Sequence, residues 1–308
     1  MVESFTIVFE KVCVLFLLLL IGYLCGKKQA LNDEAVNCLN RIILNLVIPC
    51  TVISGFQSDK AGGLVGELLL CCGYSLIVLA VFFLFAWLVT KKLPEDERAV
   101  YVLSCSLTNC SFMGYPLQTA MIGPLGVFYG SGFVAVMNFY TFTLGYLLFT
   151  HDRRSISLKQ LITRPAIWSV LLALALLLAK IRLPGIILTT TDYLASICVP
   201  VPMLIIGYHL SKVDLLTAIG NRKHRLYSAV RLLLFPLIAL GILLLLGAKG
   251  DPLMATMIAA SCPVATVVTI LAGQISDCEH MAAELNAIQT LCSMLTIPLL
   301  VTLTAIVA

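Results

Sequence analysis

Two short polar stretches, Thr108-Asn109-Cys110-Ser111 and Ser261-Cys262-Pro263-Val264, interrupt segments that are otherwise apolar. The first lies in Ala99 to Ile122, AVYVLSCSLTNCSFMGYPLQTAMI, and is followed by Gly114 and Pro116. The second lies in Pro252 to Ile275, PLMATMIAASCPVATVVTILAGQI. Proline lacks a backbone donor and its ring clashes with the carbonyl four residues earlier, so both segments are expected to stop and restart as helices. A restarted helix offers N–H groups without intrahelical acceptors and the positive end of its dipole. That chemistry suits an anion, a carboxylate above all. The Asn109 amide adds a group that both donates and accepts. Broken backbone in hydrocarbon is tolerated only where protein or a water-filled cavity satisfies it. A pair of such breaks, one in each half of a chain, marks the binding site of a transporter.

The flanking segments supply further polar groups. Asn286, Gln289, Thr290 and Ser293 recur at helical three- and four-residue spacing and form one stripe. Asn138 stands 151 residues before Gln289. The candidate substrate-binding set is therefore Thr108, Asn109, Cys110, Ser111, Ser261, Cys262, Pro263 and Val264, with Asn138 and Gln289. Charges are scarce within the apolar segments, where Glu10, Lys11, Arg41, Glu67 and Arg231 all fall near expected interfaces, within reach of water by snorkelling. With no basic residue at the midplane, positive potential has to come from helix ends, each worth about half an elementary charge. Monoanionic carboxylates are then expected to bind better than dianions. His151, His209, His224 and His280 read as solvated loop or interface residues. No nucleophile–base pair, phosphate loop, cofactor motif or metal-ligand cluster is present in the sequence, so an enzyme is not expected.

The elements that position these residues follow from composition. Hydrophobic residues make up 60% and charged residues 12% of the 308 positions, with a mean hydropathy of +1.02. Soluble domains carry about 25% charged residues, which excludes a water-soluble fold. A membrane span needs about 20 apolar residues, and ten segments qualify: 5–26, 35–56, 64–90, 99–122, 125–149, 165–180, 189–211, 225–247, 252–275 and 282–306. The chain reads as an all-α membrane protein of ten spans, with no stretch left over for a soluble domain. Glu3 and Glu10 stand where a cleavable signal would be basic, so the first span is expected to be retained. The twelve cysteines lie mostly within apolar runs and read as small buried residues, with no disulfide framework and no metal site.

Charge sets the orientation. With the N-terminus outside, the inner loops hold thirteen lysines and arginines and the outer loops four, as the positive-inside rule requires. Both termini then face outside, in the plasma membrane, and the net charge of +4 reflects this bias without implying nucleic acid. Pro49 and Pro200 are 151 residues apart, like Asn138 and Gln289, and the two breaks differ by 152. These echoes indicate two five-span repeats, residues 1–149 and 165–308, the second inverted because five is odd. Asn109 lies ten residues into its segment and Pro263 eleven, about 15 Å and about 16 Å along a helix. Entering from opposite sides, the two discontinuous helices are expected to cross at the midplane.

The run Asn109-Cys110-Ser111-Phe112-Met113-Gly114-Tyr115-Pro116-Leu117 resembles the Asn-x-x-x-Met-Gly-x-Pro-Leu signature of the auxin efflux carrier family. The alanine-rich approach to Pro263 and the closing Thr290 to Leu299 resemble that family's ninth and tenth spans. The resemblance implies a ten-span inverted repeat in which spans one, two, six and seven form a scaffold. Spans three to five and eight to ten would form a moving transport domain, an elevator carrying small organic anions, assembled as a homodimer. Two departures bear on substrate. Thr108 stands where the plant carriers place proline, and the loop from His151 to Arg164 is short where theirs is often long. Both favour the permease type, for which carboxylates such as malate or malonate are the implied substrates. Competing readings are a drug/metabolite-type ten-span exporter with inside termini, a membrane-embedded enzyme, and a receptor built on a transporter fold.

The charge asymmetry yields a test. A cysteine introduced beside Ala308 should react with an impermeant maleimide added to intact cells, and one introduced at Ser157 should not. The reverse pattern would overturn the orientation and the depth assigned to both breaks.

Overall fold

Apolar residues surround some helices on every face, as in Val65–Val89, VGELLLCCGYSLIVLAVFFLFAWLV. Such a helix has no polar side to turn to water and is stable only when enclosed by protein or lipid. Ser75, Val78, Phe82 and Ala86 face inward and are buried, whereas Leu69, Leu70, Leu84 and Trp87 are exposed. An exposed band of leucines is what a lipid-facing surface requires, since every backbone polar group is already paired within the helix.

The computed structural model describes residues 2–58, 61–150, 165–275 and 278–307. The loop His151 to Arg164, with its basic residues, lies outside the described residues, as do Lys60 and Ala308. The described chain is helical. It runs α1 Val2–Lys27, α2 Asp33–Ile42, α3 Ile48–Phe56, α4 Val65–Val89, α5 Glu95–Ser106, α6 Tyr115–Ile122, α7 Pro124–Tyr140 and α8 Tyr146–Thr150. It continues as α9 Pro165–Leu178, α10 Gly185–Ser196, α11 Pro200–Ser211, α12 Leu215–Gly220, α13 Arg222–Ala229, α14 Phe235–Leu245, α15 Gly250–Ser261, α16 Val267–Ile275 and α17 Glu279–Val307. Seven stretches among the described residues are long and apolar enough to cross a membrane unaided: Phe9–Lys27, Asp33–Phe56, Val65–Val89, Pro124–Phe149, Gly185–Ser211, Arg222–Leu245 and Glu279–Val307. They coincide with expected spans one, two, three, five, seven, eight and ten. Expected span six is the shorter α9, and spans four and nine are the interrupted pairs α5/α6 and α15/α16.

Proline shapes the helices from within. Wide π turns at Ile43–Val47, Cys110–Gly114 and Val230–Leu234 are each followed, two residues on, by Pro49, Pro116 and Pro236. The proline ring displaces the carbonyl four residues back, and a π turn absorbs the displacement without ending the helix. Pro200 acts differently. It restarts span seven as α11 after a turn at 197–199, so this span is broken where a continuous one was expected.

The helices pack in two groups that also meet, through α1 on α17 and α3 on α7. α1 runs along α11, and α3 lies against α9 and α10, where Ser54 donates to Asp192 Oδ1 at 2.5 Å. On the other side α4, α6 and α15 pack on α7, and both α15 and α16 pack on α17. α1 and α11 approach closely because Gly22 meets the Leu204 carbonyl and Gly207 meets the Leu19 carbonyl, with no room for a Cβ at either. Small residues that let backbones touch are the usual device for helix association in lipid.

Gly207→Ala should therefore lower the thermal stability of the detergent-purified protein, by about 1–3 kcal/mol if the helices must part to admit the methyl. Gly241→Ala, a position with open space around it, should be neutral or slightly stabilising in the same aggregation-temperature measurement. Equal effects would show that the α1–α11 approach is not a tight one.

Candidate functional site

The two interruptions lie side by side. α5 ends at Ser106, α15 ends at Ser261, and both chains continue in extended conformation at Leu107 and Cys262. Thr108 and Val264 form an isolated antiparallel bridge. Asn109 N–H donates to the Pro263 carbonyl at 2.8 Å and Ala265 N–H donates to the Leu107 carbonyl at 3.1 Å. The two breaks thus satisfy one another's backbone, which neither could do alone in an apolar interior. Immediately afterwards each chain turns helical again. Asn109 O accepts from Met113 and Gly114 N–H, both at 3.1 Å, and α16 starts at Val267.

Side chains reinforce this junction. Gln289 of α17 accepts from Val264 N–H at 2.9 Å through Oε1 and donates through Nε2 to the Ser104 carbonyl at 3.3 Å. One amide therefore pins both interrupted helices, and it is fully buried. Gln118 of α6 donates to the Ala255 carbonyl of α15 at 2.9 Å, and its side chain nests against Gly126 and Gly130 of α7. Cys110 Sγ packs 3.3 Å from Met137 Sδ.

Most candidate residues converge on this junction. Thr108, Cys110, Ser261, Cys262, Pro263, Val264 and Gln289 are buried at or beside it, Asn109 is 6% exposed, and Ser111 is half-buried. The Asn109 amide forms no side-chain hydrogen bond among the described residues. Thr108 Oγ1, Ser261 Oγ and Ser104 Oγ are buried without a partner among the described residues. Asn138 is next to Met137 on α7, but its Nδ2 donates to the Val134 carbonyl of its own helix at 2.9 Å. The stripe on α17 divides likewise. Gln289 reaches the breaks, Thr290 bonds Asn286 at 3.2 Å, and Ser293 bonds the Thr290 carbonyl at 2.6 Å while its hydroxyl lies 4.0 Å from Met113 Sδ in the π turn after the first break.

Two residues are placed differently from the sequence expectation. Arg231, expected near an interface, is fully buried and donates through Nη2 to the Ala260 and Cys262 carbonyls, at 3.0 and 2.7 Å. Its helix begins at Arg222, three residues before the expected start at 225, which carries Arg231 deeper. The signal was Asn221, whose side chain caps the Lys223 and His224 N–H groups. The same shift makes His224 a buried helical residue, 1% exposed, with Nδ1 3.3 Å from Glu284 Oε2. His224, Glu97, Tyr101, Lys223 and Glu284 line a cleft of about 310 Å³ at the basic end of the helices. Gln118 went unnoticed although its glycine pair, Gly126 and Gly130, is visible in the sequence at four-residue spacing.

Comparison with known proteins agrees with this architecture. A family model described as membrane transport protein matches the chain twice, over residues 7–159 and 150–301, which fits a chain of two repeats. An uncharacterized transporter of Methanothermobacter thermautotrophicus is 26% identical over 94% of this chain and 96% of its own length. One from Methanocaldococcus jannaschii is 26% identical over 85% of this chain and 87% of its own. The Escherichia coli transporter YfdV is 22% identical over 56% of this chain and 58% of its own. The chain belongs to this membrane transport protein family, the auxin efflux carrier group that its span-four signature resembles.

Proposed function

We propose that the protein is an alternating-access carrier of a small organic anion, a carboxylate, bound at the junction of the two interrupted helices. The observation that carries this reading is the pair of buried hydroxyls at the two breaks, Thr108 and Ser261, that have no partner among the described residues. Thr108 directly precedes Asn109 in the break of span four, and Ser261 ends α15 at the break of span nine. Buried polar groups are normally paired, and a carboxylate would pair with these. The first N–H groups of each restarted helix add positive potential on the same side. Chemistry of the nucleophilic kind would need a different set of groups.

The reading extends to architecture. Ten spans, an inverted second repeat and crossed spans four and nine would bring both half-helices to one depth in the plasma membrane. Packing of α1 on α11 and of α3 on α9 and α10 supports a scaffold of spans one, two, six and seven. The helices gathered around α7 and α17 would then carry the junction across the membrane as a unit. Interrupted helices at the binding site let a small shift of one body expose the site to either side, the arrangement by which repeat-built carriers alternate access.

Asn109→Ala tests the site directly. Proteoliposomes containing the variant should lose saturable uptake of labelled malonate or malate, with an apparent affinity weaker by about tenfold or more. Thermal stability should stay within about 0.5 kcal/mol of wild type, because the backbone bonds of Asn109 survive the change. Undiminished uptake would make the junction purely structural.

A further inference from the structure

Arg231 lies in the π turn Val230–Leu234, nine residues after the start of α13, or about 14 Å along the axis. Its guanidinium stands 5.1 Å from the Phe82 ring centroid and takes the Ala260 and Cys262 carbonyls through Nη2 alone. Nε and Nη1 are buried and have no acceptor among the described residues. None of the described ion pairs gives it a carboxylate. A guanidinium keeps its proton, so a full positive charge is enclosed here. The end of α15 supplies about half an elementary negative charge, which leaves about half uncompensated. An enclosed charge without a counter-ion costs several kcal/mol. The repeat does not duplicate this charge, since the position 151 residues earlier is Ala80.

We propose that Arg231 is a specificity-determining cation of the anion site, and that it selects dianionic over monoanionic carboxylates. The proposal rests on reading the junction as that site. Two restarting helices balance about one negative charge, and Arg231, with about half its charge uncompensated and its Nε and Nη1 donors unused, offsets about half of the second. The preference for monoanions expected when Arg231 was placed at an interface is thereby reversed. Holding the break of α15 with one nitrogen leaves the other donors free, which a purely structural pin would not need.

The test compares malonate with malonamate, its monoanionic half-amide of nearly the same shape, binding to purified protein in lipid nanodiscs. Wild type should bind malonate more tightly by about tenfold, and malonate affinity should not improve as pH falls through its second ionisation. Arg231→Gln should lose that advantage while keeping malonamate affinity within about twofold, and Arg231→Lys should keep it. Equal loss of both ligands in Arg231→Gln would make the residue a structural pin and overturn the proposal. Should that variant not fold, the wild-type comparison still decides. Malonamate bound as tightly as malonate, or malonate affinity rising as pH falls, overturns the role of Arg231 alone. Binding of neither anion at any pH overturns the anion site itself, and this proposal with it.

Discussion

A membrane protein that breaks two helices must still find partners for the backbone groups it frees, and that requirement organises this structure. The solution is reciprocal. Asn109 N–H takes the Pro263 carbonyl, Ala265 N–H takes the Leu107 carbonyl, and Gln289 serves Val264 and Ser104 with one side chain. Each freed group left unpaired would cost several kcal/mol in an apolar interior. Neither interruption is therefore stable without the other. The packing of α15 and α16 on α17 follows from it, because α17 must hold Gln289 at the junction.

The same constraint explains which polar atoms are spare. The backbone N–H groups of Asn109, Val264 and Ala265 at the junction are bonded, as are both ends of the Gln289 amide. Among the described residues the Thr108 and Ser261 hydroxyls, the Gln118 amide oxygen and two of the Arg231 nitrogens have no partner. In a core selected only for stability those groups would be replaced by apolar residues of similar size. Their presence at the two interruptions, Thr108 in the first and Ser261 and Arg231 at the end of α15 in the second, is the physical case for a ligand. Thr141 and Thr304 bond carbonyls four residues back in their own helices, whereas the Tyr115, Ser228, Thr296 and Thr302 hydroxyls are, like those at the junction, buried without a partner among the described residues.

Much of this was legible in the residues. Gly114, Pro116 and Pro263 announced the interruptions, because proline cannot donate and its ring has one place to go. Gln289 was found because it lies in a polar stripe at helical spacing and matches Asn138 at the repeat offset. Asn138, its counterpart by the repeat offset, instead bonds its own helix, and helical spacing cannot distinguish these outcomes. Arg231 was misplaced by three residues of helix start. Arg222-Lys223-His224 look like a solvated loop, and only the capping role of Asn221 brings them into the helix. The break at 197–199 was missed since Pro200 was read only as the repeat counterpart of Pro49, and an X-Pro step is compatible with either a kink or a restart. Contacts such as Gln118 with Ala255 join segments 137 residues apart, and no local pattern encodes them.

The account turns on where the anion sits. A structure of the protein in a lipid nanodisc with bound bromomalonate would locate the ligand by its dense bromine. Ligand density between Asn109 and Ser261, with a carboxylate oxygen about 2.9 Å from the Asn109 amide nitrogen, is the predicted result. Density in the cleft beside Glu97 and His224 instead, with the junction unchanged and empty, would contradict it.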